Sequence, residues 1–220
     1  MQTKRTIAII GASGNMGSAI AKSLAKGNDR LLLFSKELDK VEALKAAIII
    51  EYPLADVDGM TCPMHASWEA DIIILATPYE AQAEIADSIR QVANQKIVIS
   101  IANPLNATYD ALVTKSDTSA AEELQALLPH AKVVKAFNTT YAANFAQTVI
   151  DGKQADAFIA GNNVAALETT AELVKTTGFN PIIAGKLSVS RTLEAMQLLL
   201  IQLTMKYNYN WLAGWKILHQ

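Results

Sequence analysis

The chain opens with Thr6-Ile7-Ala8-Ile9-Ile10, a short apolar run that leads into Gly11-Ala12-Ser13-Gly14-Asn15-Met16-Gly17 and on into Ser18-Ala19-Ile20-Ala21-Lys22-Ser23-Leu24. Strand, glycine turn and helix in that order constrain the fold more than any other feature. The arrangement brings the N–H groups of a helix N-terminus to an anion. Gly11 and Gly14 leave no side chain between the backbone and a pyrophosphate, and Gly17 lets the helix lie close to the strand. The spacing is G-x-x-G-x-x-G, with Ser13 where the commoner G-x-G-x-x-G has its second glycine. A dinucleotide is the first expectation, held by Gly11, Ala12, Ser13, Gly14, Asn15, Met16 and Gly17.

The second apolar run bears on which dinucleotide this is. Leu31-Leu32-Leu33-Phe34 ends in Ser35-Lys36, where an NAD enzyme usually carries an acidic residue for the ribose hydroxyls. A hydroxyl and a cation stand there instead, with Lys40 one helical turn beyond. Ser35, Lys36 and Lys40 are expected to bind the 2′-phosphate of NADP(H) through charge-assisted hydrogen bonds. Glu37 and Asp39 lie among them, so an ordinary solvated, mixed-charge helix start is the competing reading.

A chain of 220 residues, 51% of them hydrophobic, can build a substantial core without disulfides or metals. Cys62 is the single cysteine and cannot form an internal bridge, and His65, His130 and His219 are too scattered for a metal cluster. A net charge of −2 with no basic tract leaves no footprint for nucleic acid. The N-terminal apolar run is too short for a signal peptide. The most hydrophobic later stretch, 196–205, is interrupted by Gln197 and Gln202 and is too short to span a bilayer. The expectation is a cytoplasmic protein whose partner is a small molecule, with no nucleic acid and no membrane.

Further along, 38–47 reads as a helix, 57–61 as a short strand in an irregular stretch, and 72–76 as a fully buried strand. The pattern continues with a helix over 80–92 and a strand over 96–101. Ser116-Asp117-Thr118-Ser119 then forms an N-cap region before a helix over 120–128. Strands over 132–137, 155–160 and 181–184 follow, with a helix over 164–177 between the last two. This alternation predicts an α/β, Rossmann-type doubly wound fold with a mainly parallel sheet and helices on both faces. Residues 1–185 read as the NADP-binding domain and 186–220 as a C-terminal helical segment without strands. Leu193, Met196, Leu199, Leu200 and Leu203 mark one helical face of that segment, and Tyr207, Tyr209, Trp211 and Trp215 gather aromatic area behind it. Packing on its own domain, a homodimer contact and a wall of a second-substrate pocket all suit such a segment.

The ends of the strands carry a series of words: Gly11-Ala12-Ser13-Gly14-Asn15-Met16-Gly17, Ala76-Thr77-Pro78-Tyr79-Glu80, Ile101-Ala102-Asn103-Pro104-Leu105 and Val134-Lys135-Ala136-Phe137-Asn138-Thr139. Together with Ser119-Ala120-Ala121-Glu122-Glu123-Leu124 and Arg191-Thr192-Leu193-Glu194-Ala195-Met196, they resemble the deazaflavin-dependent NADP oxidoreductase family over nearly the whole chain. V-K-A-F-N-T is the most specific of these words. The same domain resembles the cytosolic reductase part of the six-transmembrane metalloreductases, and pyrroline-carboxylate reductases share the first glycine turn. The family resemblance implies a hydride exchange between NADP(H) and a deazaflavin or flavin as second substrate. It implies that Ala76, Thr77 and Pro78 line the ribose and nicotinamide, and that Asn103, Pro104, Ala136, Phe137 and Asn138 flank the nicotinamide and the second ring.

No catalytic acid or base is assigned from the sequence. Hydride transfer between two cofactors needs none, because the cofactors carry the chemistry. A carbonyl or imine substrate would need a proton donor, and Thr139 and Tyr141 are the candidates for it. An NADPH reductase of a small carbonyl, imine or ferric chelate, and a non-catalytic NADPH sensor, are the alternative functions.

Overall fold

The computed structural model describes residues 4–219. In chain order the larger elements are β1 (Thr6–Ile10), α1 (Asn15–Leu24), β2 (Arg30–Phe34), α2 (Leu38–Glu51), β3 (Val57–Met60), α3 (Pro63–Glu69), β4 (Ile72–Leu75), α4 (Gln82–Ile89) and β5 (Ile97–Ser100). They continue with α5 (Ala120–Leu127), β6 (Lys132–Lys135), a two-stranded hairpin of β7 (Val149–Ile150) and β8 (Lys153–Gln154), β9 (Asp156–Gly161), α6 (Val164–Thr176), β10 (Asn180–Gly185) and α7 (Ser190–Tyr207). Eight strands form one sheet in the order β10-β9-β6-β5-β4-β1-β2-β3. Neighbours from β3 across to β6 are parallel; β9 runs antiparallel to β6 and parallel to β10.

The strands are short and apolar at successive positions because both faces of the sheet are covered. Side chains alternate between faces, so Ile7, Ile9, Leu31, Leu33 and Ile74 fill one core while Ala8, Ile10, Leu32, Ile73 and Val98 fill the other. Ser119 caps α5 as its position before an apolar run predicts, its hydroxyl accepting from the Glu122 N–H at 3.2 Å.

Several local features depart from the sequence reading. Helix α3, for which the sequence reading had no element, begins within the end of the stretch read as irregular and starts on Pro63, whose missing N–H costs nothing in a first turn. The β7–β8 hairpin turns on Asp151 and Gly152, both with positive φ. The strand read over 132–137 stops at Lys135, because Phe137 takes a φ of 59° and breaks the extended backbone. The apolar stripe read on the last helix is also corrected. Leu193, Leu200 and Ile201 are buried, but Leu199 is 46% exposed, and Glu194, Gln197 and Thr204 complete the inward face. Glu194 and Thr204 find polar partners inside, which a hydrophobicity pattern does not register. No helix among the described residues is long and apolar enough to cross a membrane.

The segment after α7 folds back on the sheet through one carboxylate. Asp156 at the start of β9 forms an antiparallel bridge with Trp215, and its buried side chain accepts from the Ile217 N–H at 2.6 Å, Lys216 Nζ at 2.8 Å and Asn180 Nδ2 at 2.6 Å. Burial pushes this carboxyl up, but the three donors outweigh it and hold the net value below the ordinary one. With the folded pKa depressed, the stabilisation is present above the unfolded value, near 3.9, and is lost as pH falls through the lower folded value. Tryptophan emission should therefore shift as the tail detaches below about pH 4. Asp156→Asn should show that shifted emission already at pH 7; identical spectra for the two proteins at neutral pH would refute the anchor.

Candidate active site

The glycine turn follows β1 where the sheet changes direction, with β2 on one side and β4 on the other. In open parallel sheets ligands sit outside the strand ends at such a switch point. Gly11 has a φ of +90°, and a Cβ on it would meet the Ala76 carbonyl oxygen at 2.4 Å. A Cβ on Gly17 would meet the Gly11 oxygen at 2.2 Å. Both glycines are thus steric requirements of the β1–α1 crossing against the end of β4. Gly14 caps α1 with extended backbone and no side-chain hydrogen bond, and the first turn of α1 holds no acidic residue. The N–H groups of Asn15, Met16 and Gly17 are left for an anion.

At the end of β2, Ser35 is buried. Its hydroxyl accepts from Ser13 Oγ at 2.8 Å and from the Glu37 N–H at 3.1 Å. In this structure the Ser35 hydroxyl shapes the turn and orients Ser13. Lys36 and Lys40 are exposed, Lys36 Nζ lying 3.0 Å from Glu84 Oε1 and Lys40 Nζ 2.5 Å from Glu37 Oε1. Surface pairs of this kind hold their partners weakly, so both amino groups remain available to a phosphate.

At the ends of β4, β5 and β6 the other expected residues come together. Ala76 and Thr77 are half-buried beside Gly11, and Pro78 is exposed. Asn103 and Asn138 clamp each other: Asn103 Nδ2 donates to the Asn138 carbonyl at 2.9 Å, and Asn138 Nδ2 donates to Asn103 Oδ1 at 3.0 Å. Asn138 Nδ2 also reaches the Leu193 carbonyl on α7 at 3.1 Å. Pro104 is buried next to this clamp. Ala136 and Phe137 are fully buried in the core, the Phe137 ring packing 5.8 Å from that of Phe145. Their side chains therefore support the site from beneath, and the left-handed backbone at Phe137 turns Asn138 towards Asn103.

Beneath the clamp lies an ion pair that the sequence reading did not identify. Lys135 Nζ is 2.6 Å from Glu194 Oε1 with both side chains inaccessible, and it donates as well to the Ala102 carbonyl. Glu194 Oε2 accepts from the Ala120 N–H at 3.1 Å. Burial lowers the lysine's pKa, and the facing carboxylate opposes that shift. Thr139 is fully buried. Tyr141 is buried too, and its hydroxyl bonds Thr204 Oγ1 at 2.9 Å; burial raises its pKa, which the Thr204 contact only partly offsets.

A cleft of about 320 Å³ opens beside the clamp, bordered by Asn15 and Met16 of the glycine turn. Tyr109, Gln197, Ile201 and Trp211 form its other walls. The Trp211 ring meets Tyr141 edge-on at 5.4 Å, and Gln202 Nε2 ties the Tyr109 carbonyl to α7 at 3.1 Å. Tyr109 and Trp211 both have positive φ, a strain that bulky residues keep where the surroundings impose it. Tyr109, Gln197 and Ile201 escaped the sequence reading. The one local trace of them is Gln197, a polar interruption of an apolar helix. The cleft suits a flat ring laid against the end of the glycine turn, and among the described residues no Asp, Glu, His, Lys, Arg or Cys lines it.

The comparisons with known proteins agree with this geometry. A family model described as NADP oxidoreductase, coenzyme F420-dependent, matches residues 6–104. The F420-dependent NADP reductase of Methanocaldococcus jannaschii is 32% identical over 210 residues, covering 91% of this chain and 93% of the relative. Metalloreductase STEAP3 of Rattus norvegicus is 30% identical over 131 residues, but only 26% of its length is covered. A crystal structure from Arthrobacter sp. FB24, provisionally assigned as an F420-dependent NADP reductase, shares the fold with a TM-score of 0.84 at 24% identity, covering 97% of this chain and 99% of that one. With the glycine turn, the strand-end clamp and a full-length match all in place, the chain belongs to the coenzyme F420-dependent NADP oxidoreductase family.

Proposed function

We propose that the chain moves a hydride between NADP(H) and a deazaflavin or flavin ring. The observation that carries this reading is the cleft: it is walled by the glycine turn on one side and by Tyr109, Tyr141 and Trp211 on the other, next to the Asn103–Asn138 clamp. The Asn15, Met16 and Gly17 N–H groups would hold the pyrophosphate, Lys36, Lys40 and Ser13 the 2′-phosphate, and Ala76, Thr77 and Pro78 the ribose and nicotinamide. Asn103 and Asn138 would set the nicotinamide's plane, and the aromatic walls would hold the second ring against it and exclude water. Bound there, the two cofactors supply the hydride chemistry themselves, provided the reacting atoms are held about 3–3.5 Å apart. Tyr141, with its hydroxyl tied to Thr204, serves as a wall rather than a proton donor. The exposed Leu199, Met205 and Tyr207 support the homodimer expected from the sequence.

NADPH consumption with a deazaflavin, FMN, FAD and a ferric chelate offered separately tests this reading. Turnover with a deazaflavin or flavin is the expected result. Turnover with the iron chelate alone, or tight NADPH binding with no turnover, would overturn it. The cofactor end has its own check. Lys36→Glu should weaken NADPH binding by about 10-fold or more, roughly the low end of a charge-assisted hydrogen bond, and leave NADH binding within a factor of about two. An equal loss for both nucleotides in a fluorescence titration would remove Lys36 from phosphate selection.

A further inference from the structure

Helix α7 carries a polar side chain to the ring cleft at a position where an apolar one would pack as well. Gln197 is only 3% exposed and borders the cleft, as does Ile201 one helical turn further on. The Gln197 Oε1 atom is closed to solvent and has no hydrogen-bond partner among the described residues. A buried oxygen left unpaired is destabilising, and native chains keep few of them. The other buried or half-buried polar side chains around the cleft are engaged. Tyr141 bonds Thr204, Thr140 Oγ1 donates to the Phe137 carbonyl at 2.8 Å, and Asn103 holds Asn138 through both ends of its amide. Asn15 and Tyr109 are exposed to water. Two buried acceptors on the cleft therefore remain unpaired: Asn138 Oδ1 on the strand-end clamp and Gln197 Oε1 on α7.

We infer that Gln197 is a specificity residue that reads the N–H edge of the second ring. On its pyrimidine side such a ring carries an N–H between two carbonyls. A primary amide complements that edge, its oxygen accepting from the N–H and its nitrogen donating to a neighbouring carbonyl. The last torsion of a glutamine is soft and two-fold, so a half-turn exchanges the two amide atoms and brings either one to the cleft. The Asn138 oxygen lies on the clamp that the proposed function gives to the nicotinamide, and it is left for the carboxamide N–H of that ring. Each of the two rings thus meets one amide oxygen. A ring alkylated at the N–H leaves the Gln197 oxygen unpaired, and the site rejects it for that reason. This inference rests on the ring cleft of the proposed function, and it adds the residue that selects the ring by its hydrogen-bonding edge.

Lumiflavin and 3-methyllumiflavin share one tricyclic ring, carry no side chain and differ by a methyl group on that nitrogen, so they serve as the probes. Their binding to the NADP⁺-loaded protein is read by flavin fluorescence, which requires no turnover. The wild type is expected to prefer lumiflavin by about 10-fold, the scale of a hydrogen bond set against a buried acceptor left unpaired. Gln197→Met keeps most of the volume and removes both polar atoms. In that variant the two rings should bind within a factor of about two of each other, and NADPH should bind within about twofold of the wild type. The variant should also melt at the wild-type temperature or above it, because it no longer carries an unpaired buried oxygen. An unchanged ring preference in Gln197→Met overturns the inference and leaves the ring cleft standing; a lower melting temperature beside it would mark a glutamine kept for structure. A loss confined to NADPH overturns it too, by giving the amide to the nicotinamide. Failure of lumiflavin to bind the wild type overturns the cleft itself, and the Gln197 contact with it.

Discussion

Lys135→Met should lower the stability of the folded protein by about 3–5 kcal/mol, the cost of leaving a buried charge without its partner. The change conserves most of the side chain's volume, so the loss reads the charge and not a cavity. Glu194 would be stranded with no water to reach it, and the Ala102 carbonyl would lose its donor. Lys135→Met/Glu194→Leu should recover part of the loss, since a well-packed apolar pair carries no desolvation penalty. Recovery should stop about 1–3 kcal/mol short of the wild type, because the Ala120 N–H and the Ala102 carbonyl remain unpaired. Urea denaturation of the three variants checks this ordering, and a single Lys135→Met protein as stable as the wild type would refute it. Turnover should fall alongside stability. The pair joins the ends of β5 and β6 to α5 and α7, and the Asn103–Asn138 clamp rests on those same ends.

Gly17→Ala should abolish useful NADPH binding, with an affinity loss of about 100-fold or more and a stability loss of about 1–3 kcal/mol, the range for overpacking a tight contact. Its new methyl would lie 2.2 Å from the Gly11 oxygen and 2.9 Å from the Ala12 Cα, both backbone atoms that cannot swing aside. Helix α1 would have to lift off the turn, carrying the N–H groups of its first turn with it. Gly14→Ala is the control. Gly14 has a φ of −71°, and the nearest atom to an added Cβ is 3.4 Å away, so the fold should tolerate the methyl to within about 1 kcal/mol. Any loss of NADPH affinity in that variant then reports the methyl's approach to the pyrophosphate. Thermal melts paired with fluorescence titrations separate the two cases. Normal NADPH binding by Gly17→Ala would show that the turn is not a cofactor cradle.

Much of the site was legible because its parts are local. The run Thr6–Ile10 can only be a buried strand, Gly11 and Gly17 answer to contacts within a few residues or with the adjacent strand, and Ser119 caps the helix that starts next to it. The sequence puts Asn103 and Asn138 just past the ends of β5 and β6, but their mutual clamp is not readable there. Ser35 lies at the end of β2 as the sequence places it, and the partners of its hydroxyl, Ser13 and Glu37, are visible only in the structure. Helix α7 was misread for a related reason. Its inward face includes Glu194 and Thr204, whose burial depends on partners contributed by other elements.

By itself the sequence determined the mainly parallel sheet and the tight glycine turn, because strand periodicity, helix capping and glycine sterics act over short stretches of chain. Only the tertiary structure decided that Asn138 reaches a carbonyl 55 residues away on α7, that Lys135 meets Glu194, and that Tyr109 and Trp211 face one cleft. Those contacts are set by how α7 and the segments around it pack over the ends of β5 and β6, and a buried charge or an aromatic wall has no signature in the residues beside it.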